Sequence, residues 1–228
     1  MNYSKSIITS FLCIFLFSLN AQKLDLKEFN EVNVAAGLQV ELIASDKNYA
    51  DVEMIKGDRD DIIITVKNGT LRLKAESSFF GKTAKARIDV YYNNEINGID
   101  VSSGSTLKSA DILKTERLDL DASSGASCKV NIDVDELDIS VSSGARVTLR
   151  GDANAQEIDV SSGANYAAKE LISKYADVSA SSGANAEVYC SKRIKAEASS
   201  GGSINYYGNP KEQDFETGKW SGGSIKAK

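Results

Sequence analysis

Asp159-Val160-Ser161-Ser162-Gly163-Ala164 decides the reading of this chain, because it recurs. Ser-Ser-Gly stands at residues 102–104, 123–125, 142–144, 161–163, 181–183 and 199–201, and Trp220-Ser221-Gly222-Gly223 closes the series as a variant. The glycines Gly104, Gly125, Gly144, Gly163, Gly183, Gly201 and Gly222 are 21, 19, 19, 20, 18 and 21 residues apart. A repeat of about twenty residues is the signature of a solenoid, in which each repeat covers the hydrophobic face of the next.

Counting from each glycine exposes the strand pattern. Position −5 holds Ile99, Leu120, Ile139, Ile158, Val178 and Ala196, and position −3 holds Val101, Ala122, Val141, Val160, Ala180 and Ala198. Position +1 holds Ser105, Ala126, Ala145, Ala164, Ala184 and Gly202, and position +3 holds Leu107, Cys128, Val147, Tyr166, Ala186 and Ile204. Between them lie Asp100, Asp121, Ser140, Asp159, Ser179 and Glu197 at −4 and serine at every −2. Strict alternation puts successive side chains on opposite faces of a strand. The expectation is an all-β parallel solenoid with like residues stacked at about 4.8 Å. Carried through the Ser-Ser-Gly, the alternation turns the −1 serine inward, where space is short, and glycine supplies a bend. The outward −2 ladder, with Ser142 and Ser161 at its middle, is either a contact surface or simply suited to a solvated bend.

Residues 1–21 read as a secretory signal peptide. Lys5 precedes an apolar run from Ile7 to Leu19, and Ala21 offers a small residue for cleavage. The run is too short to span a bilayer, which needs about 20 residues. Cys13 follows bulky Leu12, against lipid attachment, and no later stretch could cross a membrane, so no membrane insertion is expected after cleavage. Residues 22–228 form a single domain with net charge −6, a poor match to nucleic acid or anionic membrane. It divides into an N-terminal β portion, 22–98, and the rungs with a C-terminal cap, 99–228.

Within 22–98, Val32, Val34, Ala36, Leu38, Val40 and Leu42 alternate around Gly37 with the offsets of the later repeats, so this stretch reads as a degenerate first rung. Asn68-Gly69 between apolar runs predicts a hairpin. Ala86, Ile88, Val90 and Tyr92 form a further strand. Phe79 and Phe80 lie in a loop and serve either as a contact site or as rings folded over the solenoid end. Trp220, at −2 where other repeats have serine, suggests a terminal cap. Three rungs separate Cys128 from Cys190, roughly 14 Å of stacking, so both are expected unpaired despite export. Cys128 sits in an inward column, and Cys190, past the aligned strand, is expected to be the more accessible.

Val34-Ala35-Ala36-Gly37, the Asp-Val-Ser-Ser-Gly rungs, Tyr207-Gly208-Asn209-Pro210 and Ser221-Gly222-Gly223-Ser224-Ile225 resemble the head GIN domain family. These are exported proteins of Bacteroidetes-type bacteria, labelled putative autotransporter adhesins. The resemblance spans nearly all of 27–227. It implies a right-handed β-helix without known catalytic residues. The chain has no room for a C-terminal membrane barrel of many strands, which points away from self-translocation and towards the periplasm, with the cell surface as the alternative.

The chemistry is read largely from what is missing. With no histidine, the chain lacks the commonest general base and the commonest zinc ligand. It has no phosphate-cradling glycine loop. The −4 column puts Asp100, Asp121 and Asp159 on one outward face as candidate binding residues, with Ser140 between the last two. One carboxylate per rung beside a serine is sparse for Ca²⁺, so neither a metal nor another cofactor is expected. The leading expectation is a non-catalytic envelope protein that binds a surface glycan or an envelope protein through its solenoid faces. A stiff structural spacer and a β-helical carbohydrate-active enzyme are the alternatives.

Overall fold

The computed structural model describes residues 22–76, 84–218 and 222–228. The seventeen strands, in chain order, are β1 (Gln22–Asp25), β2 (Glu31–Ala35), β3 (Gln39–Ala44), β4 (Tyr49–Lys56), β5 (Ile62–Lys67), β6 (Thr70–Ala75), β7 (Lys85–Tyr92), β8 (Gly98–Val101), β9 (Thr106–Ala122), β10 (Ser127–Val141), β11 (Arg146–Val160), β12 (Asn165–Ala180), β13 (Asn185–Tyr189), β14 (Arg193–Ala198), β15 (Ser203–Tyr207), β16 (Glu212–Thr217) and β17 (Ser224–Ala227). A short 3₁₀ turn, Arg59–Asp61, is the one helical element among the described residues. The solenoid therefore stands as the alternation predicts.

Register follows the columns read from sequence. Val34, Val101, Ala122, Val141, Val160, Ala180 and Ala198 are successive neighbours across parallel strands. So are Val40, Leu107, Cys128, Val147, Tyr166, Ala186, Ile204 and Ile225. Apart from Ile225 at the open end, all of these side chains are buried. Residues 31–44 are the first rung of this register, with Ala36 and Gly37 turning as the later Ser-Gly pairs do.

The turn corrects one expectation. In every repeat both the −1 serine and the glycine have positive φ, for example 52° at Ser162 and 70° at Gly163. The amide of the +1 residue closes back on the −2 carbonyl, Ala164 N–H to Ser161 O at 3.0 Å. Positive φ at both central residues is the type I′ turn. Ser103, Ser124, Ser143, Ser162, Ser182 and Ser200 at −1 are accordingly exposed, not inward. Two left-handed residues reverse the chain and deliver +1 to the interior, so the alternation resumes in phase by a different route. The turns also stack: Gly104, Gly125, Gly144, Gly163 and Gly183 each donate their N–H to the −1 serine carbonyl of the next rung at 3.0–3.1 Å.

Unequal repeat lengths are absorbed away from the turns. Between β9 and β10 the register slips from Lys108↔Lys129 to Ile112↔Asn131, and between β11 and β12 from Thr148↔Ala167 to Arg150↔Glu170. The extra residues bulge at one side of the coil, as β-bulges do. Beside the second slip, Gly151 has φ 111° and a Cβ there would lie 2.0 Å from Ile132 O, so only glycine fits.

The N-terminal portion is threaded out of order. β2 lies between β6 and β8, and β3 lies between β7 and β9. Residues 70–92 thus supply an outer rung beneath 31–44. Antiparallel strands close that end: β5 on β6 through the predicted Asn68-Gly69 hairpin, β4 on β7, and β1 on β4. At the other end β16 and β17 pair only inward, with β14 and β15, among the described residues. Phe215 is exposed there beside Tyr206, ring centroids 5.4 Å apart. Trp220, Phe79 and Phe80 lie outside the described residues, as does the whole 1–21 segment.

Cys128 and Cys190 are both free and buried. This overturns the expected accessibility of Cys190, which is 0% exposed. Its sulfur is tucked under the loop before β14, 3.2 Å from Lys174 O and 3.0 Å from Arg193 O.

Candidate functional site

The strand that approaches each Ser-Ser-Gly turn presents its even-numbered columns to solvent. At −8 relative to the glycine run Arg117, Glu136, Ala155, Tyr175 and Arg193, neighbours from rung to rung, and Glu212 extends the row as the partner of Arg193. At −6 run Asp119, Asp138, Glu157, Asp177 and Lys195, and Asp214 extends this row as the partner of Lys195. The −7 side chains Leu137, Ala176 and Ile194 are buried, which keeps the two outward rows aligned. These rows line a groove of about 590 Å³ along the solenoid.

Charges in the groove are partly paired. Arg117 reaches Asp119 at 3.0 Å, Asp138 at 3.2 Å and Glu136 at 3.3 Å, bridging two rungs. The hydrogen bond and charge of Asp119, helped by Asp138 and Glu136, raise the guanidinium further above its ordinary value. Lys195 pairs with Asp177 at 3.4 Å. Among the described residues Glu157, Glu212, Asp214 and Arg193 have no ion pair. Tyr175 lies between Ala155 and Arg193, with the Arg193 guanidinium and the Lys192 ammonium each 5.7 Å from its ring centroid. That distance permits cation–π attraction but leaves the ring outside contact range of about 4 Å.

A second groove of about 410 Å³ continues past Arg117 towards the N-terminal end. Asp100 and Asp121 meet here as adjacent rungs of the −4 column. Asn33 donates to Asp100 at 2.7 Å. Burial, then the Asp121 charge, pushes the Asp100 carboxyl up, and burial, then Asp138, pushes Asp121 up against a lowering hydrogen bond from Ser140. Asp159 is not drawn into this pair; it stands between Ser140 and Ser179. Ser142 and Ser161 are half-buried on the turn edge, and neither hydroxyl has a hydrogen-bond partner among the described residues. No group of three or more Cys, Asp or Glu among the described residues is arranged to hold a metal ion.

Two features escaped the sequence reading. The −6 and −8 rows lie just beyond the columns read around Ser-Ser-Gly, and the same count from each glycine, carried three residues further upstream, aligns them from Arg117 to Arg193 and from Asp119 to Lys195. The interior also holds a polar network: Tyr166 Oη donates to Gln156 Oε1 at 3.0 Å, and Gln156 Nε2 donates to Ser173 Oγ at 2.7 Å and Tyr189 O at 3.1 Å. Tyr166 was legible as a column residue, its hydroxyl partner was not.

The fold and groove define a β-solenoid with an open, polar, aromatic-bearing face. The chain belongs to the family described as "Putative auto-transporter adhesin, head GIN domain", whose model matches residues 28–210. Among solved structures it is similar to a "putative adhesin" from Bacteroides fragilis, with TM-score 0.79 and 20% identity over 91% of this chain and 96% of that one. A "putative adhesin" from Parabacteroides merdae gives TM-score 0.71 and 13% identity over 91% and 95%. A "putative lipid binding protein" from Parabacteroides distasonis gives 0.68 and 16% over 91% and 96%. At such identities these likenesses concern the fold. No curated protein matches the chain. No helix among the described residues is long and apolar enough to cross a membrane.

Proposed function

We propose that this chain is an exported, non-catalytic binding module of the cell envelope, adhesin-like in role, which holds a glycan or protein ligand on its long grooved face. The groove carries the reading. It joins a ring available for stacking, Tyr175, to charged groups without partners on a rigid sheet, and such a mixture of one apolar platform and a few polar groups suits ligand contact. The family description and the absence of histidine agree with binding rather than catalysis. Cleavage after Ala21 would deliver residues 22–228 to the periplasm or the cell surface.

The test is a glycan and envelope-protein binding screen of residues 22–228 beside Tyr175→Ala. Specific binding lost in the variant supports the reading, and binding indifferent to Tyr175 places the contact elsewhere. N-terminal sequencing of the protein from cell fractions should begin at Gln22. A chain that retains residues 1–21 in the cytoplasm would refute export.

A further inference from the structure

We infer that the ligand of the groove is a linear polysaccharide bearing free amino groups, lying along the solenoid axis; this rests on the binding-module reading above and gives it a chemical class. Three observations converge on it.

The first is direction and pitch. The groove runs across the strands from Arg117 to Glu212, five strand steps or about 24 Å at about 4.8 Å each. One such step is close to the length of one pyranose residue, so successive sugars meet successive rungs in register. An extended peptide advances about 3.3 Å per residue and presents alternate side chains at about twice that, which drifts against the rungs.

The second is the charge left over. Arg117 is consumed by Asp119, Glu136 and Asp138, and Lys195 by Asp177. Glu157 sits between Asp138 and Asp177 in the −6 row with no cation of its own. Asp214 and Glu212 lie in register beside Lys195 and Arg193, but neither forms an ion pair among the described residues. Arg193 alone among the groove cations lacks a carboxylate partner among the described residues. The unpaired balance is acidic, and an ammonium group complements it.

The third is the platform. Tyr175 is half-buried in the −8 row, one rung from Ala155, whose small side chain leaves space beside the ring. A sugar's apolar C–H face stacks there while its amino substituent reaches Glu157 on the neighbouring rung. The rigid ladder holds ring and carboxylate in place before binding, which limits the ordering cost.

Isothermal titration of residues 22–228 with a glucosamine hexamer at mildly acid pH, where its amines are protonated, tests the inference against the N-acetylated hexamer and hexalysine. The expected result is binding of the glucosamine hexamer, with at least about tenfold weaker affinity for the acetylated form, weakened by salt. Glu157→Gln should erase that preference, and Tyr175→Ala should weaken both sugars. Both sites face solvent, and circular dichroism confirms that the variants fold. Equal affinity for the two hexamers overturns the amino-group claim and leaves the glycan reading intact. Binding of hexalysine alone, sensitive to Glu157→Gln, overturns the glycan and leaves a protein-binding groove. No binding of any probe overturns the inference, while the broader screen still decides the binding-module reading.

Discussion

Tyr166→Phe removes one oxygen from the centre of the coil and almost no volume. Tyr166 is 1% exposed, and burial pushes its phenol far above the ordinary value, so it remains a donor at every working pH. Its proton goes to Gln156 Oε1, 3.0 Å away, on a side chain only 3% exposed. The Gln156 amide stays fixed by Ser173 and Tyr189 O, so its carbonyl cannot swing to a new donor. The variant therefore strands a buried acceptor at a cost of about 1–3 kcal/mol. For a domain of this size each kcal/mol moves Tm by about 2–4 °C, so a fall of about 2–12 °C is expected in a thermal melt followed by circular dichroism. Gln156→Leu alone strands the Tyr166 hydroxyl instead. Combining the two removes both ends of the bond, so the double variant should lose less than the sum of the singles, by about 0.5–3 kcal/mol. Additive losses, or an unchanged Tm in Tyr166→Phe, would show that the hydroxyl is satisfied in some other way.

Val141→Asp buries an unpaired carboxylate in a column 1% exposed, at a cost of about 3–5 kcal/mol, while Ser142→Asp on the turn edge should stay within about 0.5 kcal/mol; equal losses in urea unfolding would refute the inside–outside assignment. Thiol labelling should modify neither Cys128 nor Cys190 in the folded protein, since both are buried and burial pushes the Cys128 thiol up to about 12; labelling of either before unfolding would contradict this packing. Asp121 titrates above its ordinary 3.8 in the fold, so its charge opposes folding at neutral pH and that opposition is relieved as pH falls through the raised value towards 3.8. Asp121→Asn should thus raise Tm at pH 7 and lose that advantage near pH 4, and a stabilisation independent of pH would argue against charge as the cause.

The sequence made the rungs visible because alternation and a fixed tripeptide coincide in each one. Val34 and Val40 could be aligned to Val101 and Leu107 without any Ser-Ser-Gly, since a buried column needs only spacing. Parity, however, does not reveal backbone conformation. Two left-handed residues and an extended dipeptide return the chain to the same phase, and so the −1 serines were assigned inward when they face water. Cys190 was misplaced for a related reason: past the aligned strand the alternation restarts at a corner, and a corner residue can lie beneath the loop that turns it. Of the candidate site, the pairing of Asp100 with Asp121 followed from the −4 column. The groove did not: Tyr175, Glu157 and Arg193 keep constant offsets from their glycines, but the −6 and −8 rows mix acidic, basic, small and aromatic residues, a composition that reads as an ordinary solvated face.

The placement of residues 31–44 between 70–92 and 98–109 governs the order in which the molecule can form. A chain emerging from its N-terminus has this rung early but neither of its neighbours. The rung waits through the β5–β6 hairpin and β7 until both flanks arrive, so its contacts close loops of roughly forty to seventy residues. Every later rung needs only the one before it. Contacts of long sequence separation slow folding, which makes assembly of the N-terminal end the expected slow step and the Ser-Ser-Gly rungs a fast zipper that follows. A substitution in the core of 31–44, such as Leu42→Ala, should therefore slow refolding more than an equal deletion in the later rungs, which should chiefly speed unfolding.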